Sequence, residues 1–294
     1  MNCESQPHYT PTRTLQTETK SFSYEDFANQ PEYVAINQEQ IKTLTQALPN
    51  AFLHVDIATG TGLVPKLIIQ ESEKTGRKGT IWGIDPNNTS LKIARETTPK
   101  SNNVAVSYVH GFGQHALQLL DGEIPQEGIN STSIHDALHE VGGFEDKLII
   151  LQSMANMLKP GGLFSFNSAF TTFGMEPTPM DWGRWKLNAF RILGGKKDRQ
   201  ANPIEIYTPE QYKQMIHSVG LVVVHQEKNV VTLTQKALEA ISRYPKFVDG
   251  VFGDMVDQEN FSLKQKSDAL IKALNGTQSM RRGWYGIIAQ KPIT

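Results

Sequence analysis

The sequence predicts an α/β protein built on a mostly parallel sheet with helices on both faces. Three observations carry that reading. Short apolar runs, AFLHVDIA, GTIWGID, VAVSYVHG and GLFSFNSAF, alternate with segments whose apolar residues recur at helical spacing. The first run feeds a turn with two glycines, Gly60 and Gly62, and then a helical pattern. Turn and cap residues fall between the runs rather than inside them.

The elements follow in order. Residues 1–22 are polar and lack an apolar signal core, so they read as a flexible tail. Residues 23–50 read as a helical cap. Pro31 suits a first helical turn, Tyr33, Ile36, Ile41 and Leu44 fall near one face, and Pro49 and Asn50 end it. After the first strand, Leu63 to Thr75 is helical, with Gly76 as its stop. The second strand ends at Asp85, SLKIARET is a short helix, and VAVSYVHG is the third strand. INSTSIHDALHEV should hold a fourth strand despite its Ser and Thr content. Phe144 to Leu158 is helical, LKPGG turns the chain, and GLFSFNSAF is a fifth strand. TPEQYKQMIHSVG is a helix capped by Thr208, LVVVHQEKNVV a sixth strand, and GWYGIIAQKP a final, seventh strand. Two segments interrupt the alternation, at about 171–206 and 232–280. The second should hold amphipathic helices near Thr234–Tyr244 and Leu263–Leu274.

Composition narrows the function classes. Lys plus Arg total 29 and Asp plus Glu 30 in 294 residues, so no global field steers the chain onto nucleic acid or anionic lipid. Cys3 is the single cysteine, so no disulfide can form within the chain, which fits a reducing, cytoplasmic setting. No apolar run is long enough to cross a bilayer. The expected partner is a small molecule, and the oligomeric state is left open between monomer and homodimer.

A strand, a glycine turn and a helix together make a nucleotide site. Glycines let the backbone approach a ligand, and the helix start offers free N–H groups. The dinucleotide pattern G-x-G-x-x-G needs a third glycine, and Pro65 stands there. Asp85, at the end of the second strand, is placed to accept both hydroxyls of a ribose. It could instead cap the helix after Pro86.

HVDIATGTG, GTIWGIDPN, the helix before LKPGGLFSF, TPEQYKQMIHSVGL and the final strand resemble the class I S-adenosylmethionine-dependent methyltransferases. The resemblance covers Ala51 to Ser168 well and the end of the chain more loosely. It implies a Rossmann-like, seven-stranded, mostly parallel sheet over residues 51–294, with helical lid insertions. It implies S-adenosyl-L-methionine as cofactor and S-adenosyl-L-homocysteine as product. Ala58, Gly60 and Gly62 would pack on the methionine part, and Asp56 would orient that loop or reach the amino group through water. Asp85 would bind the ribose, with Pro86 and Asn87 beside the adenine. The family often has an acidic residue after the third strand; here the chain reads HGFGQH, so Phe112 or Gln114 must serve the adenine.

Methyl transfer needs positioning and exclusion of water, and a neutral oxygen or nitrogen acceptor also needs a base. IHDALHEVGG supplies His135, Asp136, His139 and Glu140 at the end of the fourth strand, where parallel sheets place ligands. On a helix His135 and His139 would share a face. Both are candidate bases, since imidazole titrates near pH 6.5 when unperturbed. They could instead cap the next helix. H-D-x-x-x is not a zincin pattern, and no metal is expected. Phe173, Trp182 and Trp185 after the fifth strand, with Tyr24 and Tyr33 from the cap, are candidates for a pocket that takes a flat or apolar acceptor. Arg281 and Arg282 could meet an acidic substrate, but they are read first as a solvated surface pair.

The leading function is methyl transfer to a small, partly apolar metabolite through oxygen, nitrogen or carbon, of the kind met in natural-product biosynthesis. Two alternatives remain: a nicotinamide-dependent oxidoreductase, and a protein of the same fold that acts as a cyclase or binder without methyl transfer.

Overall fold

A computed structural model describes residues 22–170, 180–198 and 207–293. Helices α1 (Glu25–Ala28) and α2 (Pro31–Ala47) precede strand β1 (Ala51–Ile57). Then come α3 (Leu63–Thr75), β2 (Lys78–Asp85), α4 (Asn88–Thr97), β3 (Val104–His110), α5 (Ala116–Leu119) and β4 (Ile129–His135). They are followed by α6 (Phe144–Met157), β5 (Leu158–Phe170), α7 (Asp181–Leu193), α8 (Pro209–Ser218) and β6 (Val222–Thr234). The described chain closes with α9 (Gln235–Ile241), α10 (Pro245–Phe252), α11 (Leu263–Leu274) and β7 (Ser279–Gln290).

The seven strands form one sheet in the order β3-β2-β1-β4-β5-β7-β6. All neighbours pair in parallel except β7, which runs against both β5 and β6. The chain winds outward from β1 to β3 and returns to β4 on the other side of β1. This reversal opens a crevice beyond the carboxyl ends of β1 and β4, where such sheets bind ligands.

Helix starts follow local chemistry. Asn87 caps α4 by accepting from the N–H groups of Thr89 and Ser90. Thr208 with Gln211, and Ser262 with Gln265, form capping boxes at α8 and α11. Helix α3 starts at Gly62, left-handed at φ 82°. Like α2, α6 and α7 it has no side-chain cap, and its first turn opens directly onto the glycine turn.

Two cores sandwich the sheet. Val55, Ile84, Ile134, Leu151, Phe164 and Tyr212 pack on the side of α6 and α8. Ile41, Leu44, Phe52, Ile68 and Ile81 pack beneath α2 and α3. A third core has no counterpart in the sequence pattern. Phe27, Tyr33, Trp185, Phe190, Leu238, Phe252, Leu270 and Trp284 join the first two helices to α7, α9, α10 and α11. At about 1.5–3 kcal/mol per buried large apolar side chain, this layer is a packed cap rather than a loose flap.

Three expectations change in detail. The interruption at 171–206 contains α7, while residues 171–179 and 199–206 lie outside the described residues. Helix α10 was not anticipated; it begins on Pro245, whose fixed φ suits a first turn. Strand β5 begins at Leu158, earlier than GLFSFNSAF implied. Among the described residues, no helix is long and apolar enough to cross a membrane.

Candidate active site

The glycine turn and Asp85 are built as one unit. Asp85 is buried, with one carboxylate oxygen accepting the Gly60 N–H at 2.8 Å and the other the Asn87 N–H at 2.8 Å. Burial pushes the Asp85 carboxyl up, and these two N–H donors oppose that shift. Each oxygen keeps a further lone pair. Gly60 has φ 54°, and a side chain there would meet nothing within 4 Å, so the turn faces open space. Ala58, at φ 55°, holds a left-handed conformation that costs a non-glycine residue about 1–3 kcal/mol. Gly62 serves packing: a Cβ there would run into the Tyr108 hydroxyl and Ala94. Pro86 is exposed and Asn87 spends its side chain on the α4 cap. Phe112 is 51% exposed beside the end of β3, free to stack on a flat ring, and Gln114 is half-buried.

Behind the turn runs a buried polar chain. Ser133 donates to Asp56 Oδ1 at 2.5 Å. Ser133 therefore accepts from His54 Nε2 at 2.9 Å, which leaves His54 Nδ1 to accept from Ser131 at 2.7 Å. This explains why β4 is rich in hydroxyls and yet fully buried. The Thr59 hydroxyl faces the Asp56 carboxyl and, with Ser133, favours its charged form, but neither Thr59 Oγ1 nor Asp56 Oδ2 makes a hydrogen bond of good geometry. This loosely matched pair at the end of β1 leaves Asp56 Oδ2 room for a donor brought by a ligand. Burial pushes the Asp56 carboxyl up to about 7, with Ser133 opposing.

His135 was expected to share the catalytic role, and the structure corrects this. The ring is buried, donating through Nδ1 to Asn37 Oδ1 at 3.0 Å and accepting through Nε2 from Ser165 at 2.9 Å. Asn37 is held in turn by Asn167 Nδ2 at 2.9 Å. Burial lowers the imidazole to about 3, so it stays neutral. It fastens α2 to the sheet. Nor do His135 and His139 share a helix, since the first ends β4 and the second lies in a short 3-10 turn, Leu138–Glu140.

These buried groups predict a pH dependence of stability. His54 is likewise lowered to about 3 by burial, with His135 adding to the effect. The unfolded chain protonates both imidazoles below about pH 6.5 and the folded chain does not. Their stabilisation is complete above pH 6.5 and is lost as pH falls. Asp56 acts in reverse, because its folded carboxyl keeps a proton up to about 7 against 3.8 unfolded. Between about pH 4.5 and 6, two protons taken up on unfolding are set against one released. Asp56→Asn removes the released proton, so its urea-unfolding free energy should rise about 1.4 kcal/mol per pH unit more steeply than the wild type. Parallel curves would contradict the assignment.

His139 remains. Its side chain is 39% exposed, and its Nδ1 lies 3.3 Å from Ser168 Oγ and 3.9 Å from Asp136 Oδ1. Asp136 follows β4 at φ 47°, a strained setting beside the crevice. Its carboxylate accepts from the Tyr24 hydroxyl at 2.8 Å and the Ala169 N–H at 3.2 Å. Burial and the Asp136 charge push the Tyr24 phenol well above its ordinary value, so it stays a neutral donor. Tyr24 also packs on Tyr33 and on Tyr244, with ring centroids 5.7 and 4.8 Å apart, and Tyr33 meets Trp284 at 5.6 Å. From the lid, Tyr244 donates to Glu140 at 2.7 Å, and Lys246 pairs with the same carboxylate at 2.7 Å.

The other acceptor-side candidates divide. Trp182 is half-buried at the edge of this wall. Trp185 is turned into the third core, its indole N–H given to the Leu270 carbonyl at 2.8 Å, so it supports the wall from behind. Phe173 lies outside the described residues. The sequence reading named Glu140 but passed over its partners Tyr244 and Lys246, which lie more than a hundred positions away at and just inside a helix it did not foresee. Among the described residues, no group of three His, Cys, Asp or Glu side chains could hold a metal ion.

Residues 55–166 match the protein family described as methyltransferase domain. Release factor glutamine methyltransferase of Mycobacterium tuberculosis is 27% identical over 143 residues, 43% of this chain. The chain spans about half the length of that relative, 47% of it. Two solved structures share the fold. Loganic acid methyltransferase with SAH superposes at a TM-score of 0.61, 11% identical, covering 95% of this chain and 99% of that one. N-methyltransferase NodS of Bradyrhizobium japonicum, in complex with S-adenosyl-L-homocysteine, superposes at 0.50, 10% identical, covering 90% of each chain. Residues 55–166 therefore carry a methyltransferase domain on the class I fold, for which S-adenosylmethionine is the cofactor indicated.

Proposed function

We propose that this protein transfers a methyl group to the oxygen or nitrogen of a small, partly apolar metabolite. The observation that carries the reading is the pairing of two half-sites across the β1–β4 crevice. On one side stand the glycine turn, Asp85 and the Asp56 carboxyl with Thr59 beside it. On the other stand His139, Asp136 and the tyrosine wall.

When bound, S-adenosylmethionine supplies a methyl group already activated on a sulfonium. The remaining work falls to the chain. Asp85 binds the ribose hydroxyls through its free lone pairs, Asp56 offers Oδ2 to the amino group, and Phe112 stacks on the adenine with Gln114 at its edge. His139 takes the proton from the acceptor at Nε2, while Ser168 and Asp136 hold the ring through Nδ1. Tyr24, Tyr33, Tyr244 and Trp284 exclude water. The aromatic character of the wall favours a small ring-bearing acceptor over a polymer. The balanced charge of the chain favours no nucleic-acid partner, and the single cysteine suits the cytoplasm.

Calorimetric titration with S-adenosylmethionine, S-adenosylhomocysteine and NADH tests the cofactor half. Micromolar binding of the first two without NADH is expected, and binding of NADH alone would sink the proposal. Methylation of a panel of phenols and amines by the cofactor-loaded protein tests the second half. Tight cofactor binding with no transfer to any of them would instead favour a non-transferring role for the fold.

A further inference from the structure

Of the two readings the sequence left for Arg282, solvated surface residue or contact to an acidic substrate, the structure disfavours the first: the side chain is partly buried. Phe170 and Gly283 form the last β5–β7 pair, so Arg282 begins the stretch of β7 that pairs only with β6, opposite Val231. It shares a strand face with Trp284, two residues on, whose ring packs against Tyr33. It thus belongs to the aromatic wall. Arg281, on the opposite face, is the exposed member of the pair.

The guanidinium is held over a ring and, among the described residues, paired with no carboxylate. Its Cζ lies 5.1 Å from the Trp182 ring centroid, and Trp182 is pinned by its own N–H to the Arg281 carbonyl at 2.8 Å. Its Nε is buried without a hydrogen-bond partner. Burial opposes its charge, and the Asp136 carboxylate favours it from a distance. The Asp136 carboxylate is already engaged by Tyr24 and Ala169. A held, partly buried guanidinium without an anion is unfavourable, and its planar fork matches a carboxylate.

Its place separates it from the cofactor. Strands β1, β4, β5 and β7 are successive neighbours, and at about 4.8 Å per step β7 stands roughly 14 Å from the glycine turn. An arginine there reaches toward the acceptor side.

We propose that Arg282 anchors a carboxylate carried by the methyl acceptor, which makes the substrate a small ring-bearing acid. The assignment rests on the methyl-transfer reading above. The carboxylate is a handle and not the methylated group, because a guanidinium-paired oxygen is a poor nucleophile. The product keeps its acid, and the methyl goes to the hydroxyl or amine presented to His139.

The test compares 4-hydroxyphenylacetate, 4-hydroxycinnamate and indole-3-acetate, each beside its primary amide, by calorimetry on the full chain with and without S-adenosylhomocysteine. Each effective acid should bind at least about tenfold more tightly than its amide. In Arg282→Met the gap should close, and in Arg282→Lys part of it should remain. Without ligand, Arg282→Met should melt no lower than the wild type, since it replaces an unmatched charge by a packed apolar chain; a purely structural arginine would lower the melting temperature. Acids and amides binding alike across the panel, or a gap that survives Arg282→Met, overturns the proposal. If Arg282→Met weakens S-adenosylhomocysteine but not 5′-methylthioadenosine, the anchor serves the cofactor's carboxylate and the acceptor assignment falls. If the wild type binds no S-adenosylhomocysteine, the methyl-transfer reading fails, and the gap measured without it still judges Arg282.

Discussion

Asp85→Ala is expected to weaken S-adenosylmethionine and S-adenosylhomocysteine by two to three orders of magnitude. The reasoning starts from the carboxylate's double duty. In the free protein its oxygens accept the Gly60 and Asn87 N–H groups, which fixes the β1 turn against the start of α4. Its remaining lone pairs are those proposed for the two ribose hydroxyls. Hydrogen bonds to a charged group contribute about 1.5–3 kcal/mol each. Losing two therefore costs roughly 3–4 kcal/mol after partial replacement by water, or a factor of about 150–1000 in Kd. The variant also leaves two backbone donors unmatched, so it should melt a few degrees lower. Ligand choice separates the two effects. The loss should be equal for S-adenosylhomocysteine and 5′-methylthioadenosine, which share the ribose and differ in the amino-acid tail. Asp85→Asn, which keeps one acceptor for the Asn87 N–H, should recover much of the stability and little of the affinity. Wild-type affinity in a folded Asp85→Ala protein would remove Asp85 from the cofactor site.

Much of the sheet and half of the site could be read from the residues alone, and the boundary between the two has a physical cause. The glycine turn, Asp85 and the helix from Leu63 are local: a strand, a turn and a helix start adjoin in sequence, and backbone geometry follows from glycine and cap chemistry. Strand β4 was harder to read because hydroxyls there serve a buried chain from Ser131 through His54 and Ser133 to Asp56, so its polarity masked its burial. The acceptor wall was legible only in part. Tyr24 and Asp136 meet across 112 positions, and Tyr244 and Glu140 across 104. No periodicity within one segment announces such contacts. His135 and His139 show the same limit at close range. They are four residues apart and equivalent in chemistry, yet one falls inside the sheet and the other past its end. Arg281 and Arg282 are adjacent and alternate across β7, which gives one to solvent and the other to the wall.

His139→Ala is expected to lower kcat by about 10²- to 10⁴-fold while leaving cofactor affinity unchanged, the range for a general base. Geometry comes first. Nδ1 faces Ser168 and Asp136 inside the protein, so Nε2 is the nitrogen left for the acceptor's proton, and the partly exposed ring leaves room for it. Asp136 is suited to hold that ring because it is itself fixed, at φ 47° and bonded to Tyr24 and Ala169. Asp136→Asn should therefore cost less than His139→Ala, through orientation alone. A base and a mere wall residue predict different dependence on the acceptor. If His139 removes the proton, its loss should matter most for weakly acidic hydroxyls and fade for phenols acidic enough to ionise in solution. The rising limb of the kcat–pH profile should vanish in the variant, and added imidazole should restore part of the rate. A wall residue would raise KM across the series and leave the profile's shape intact. If the variant loses the same factor with ionised and neutral acceptors alike, His139 positions the substrate without taking its proton. The acceptor would then need no base, as a carbon nucleophile activated by its own electron release does not.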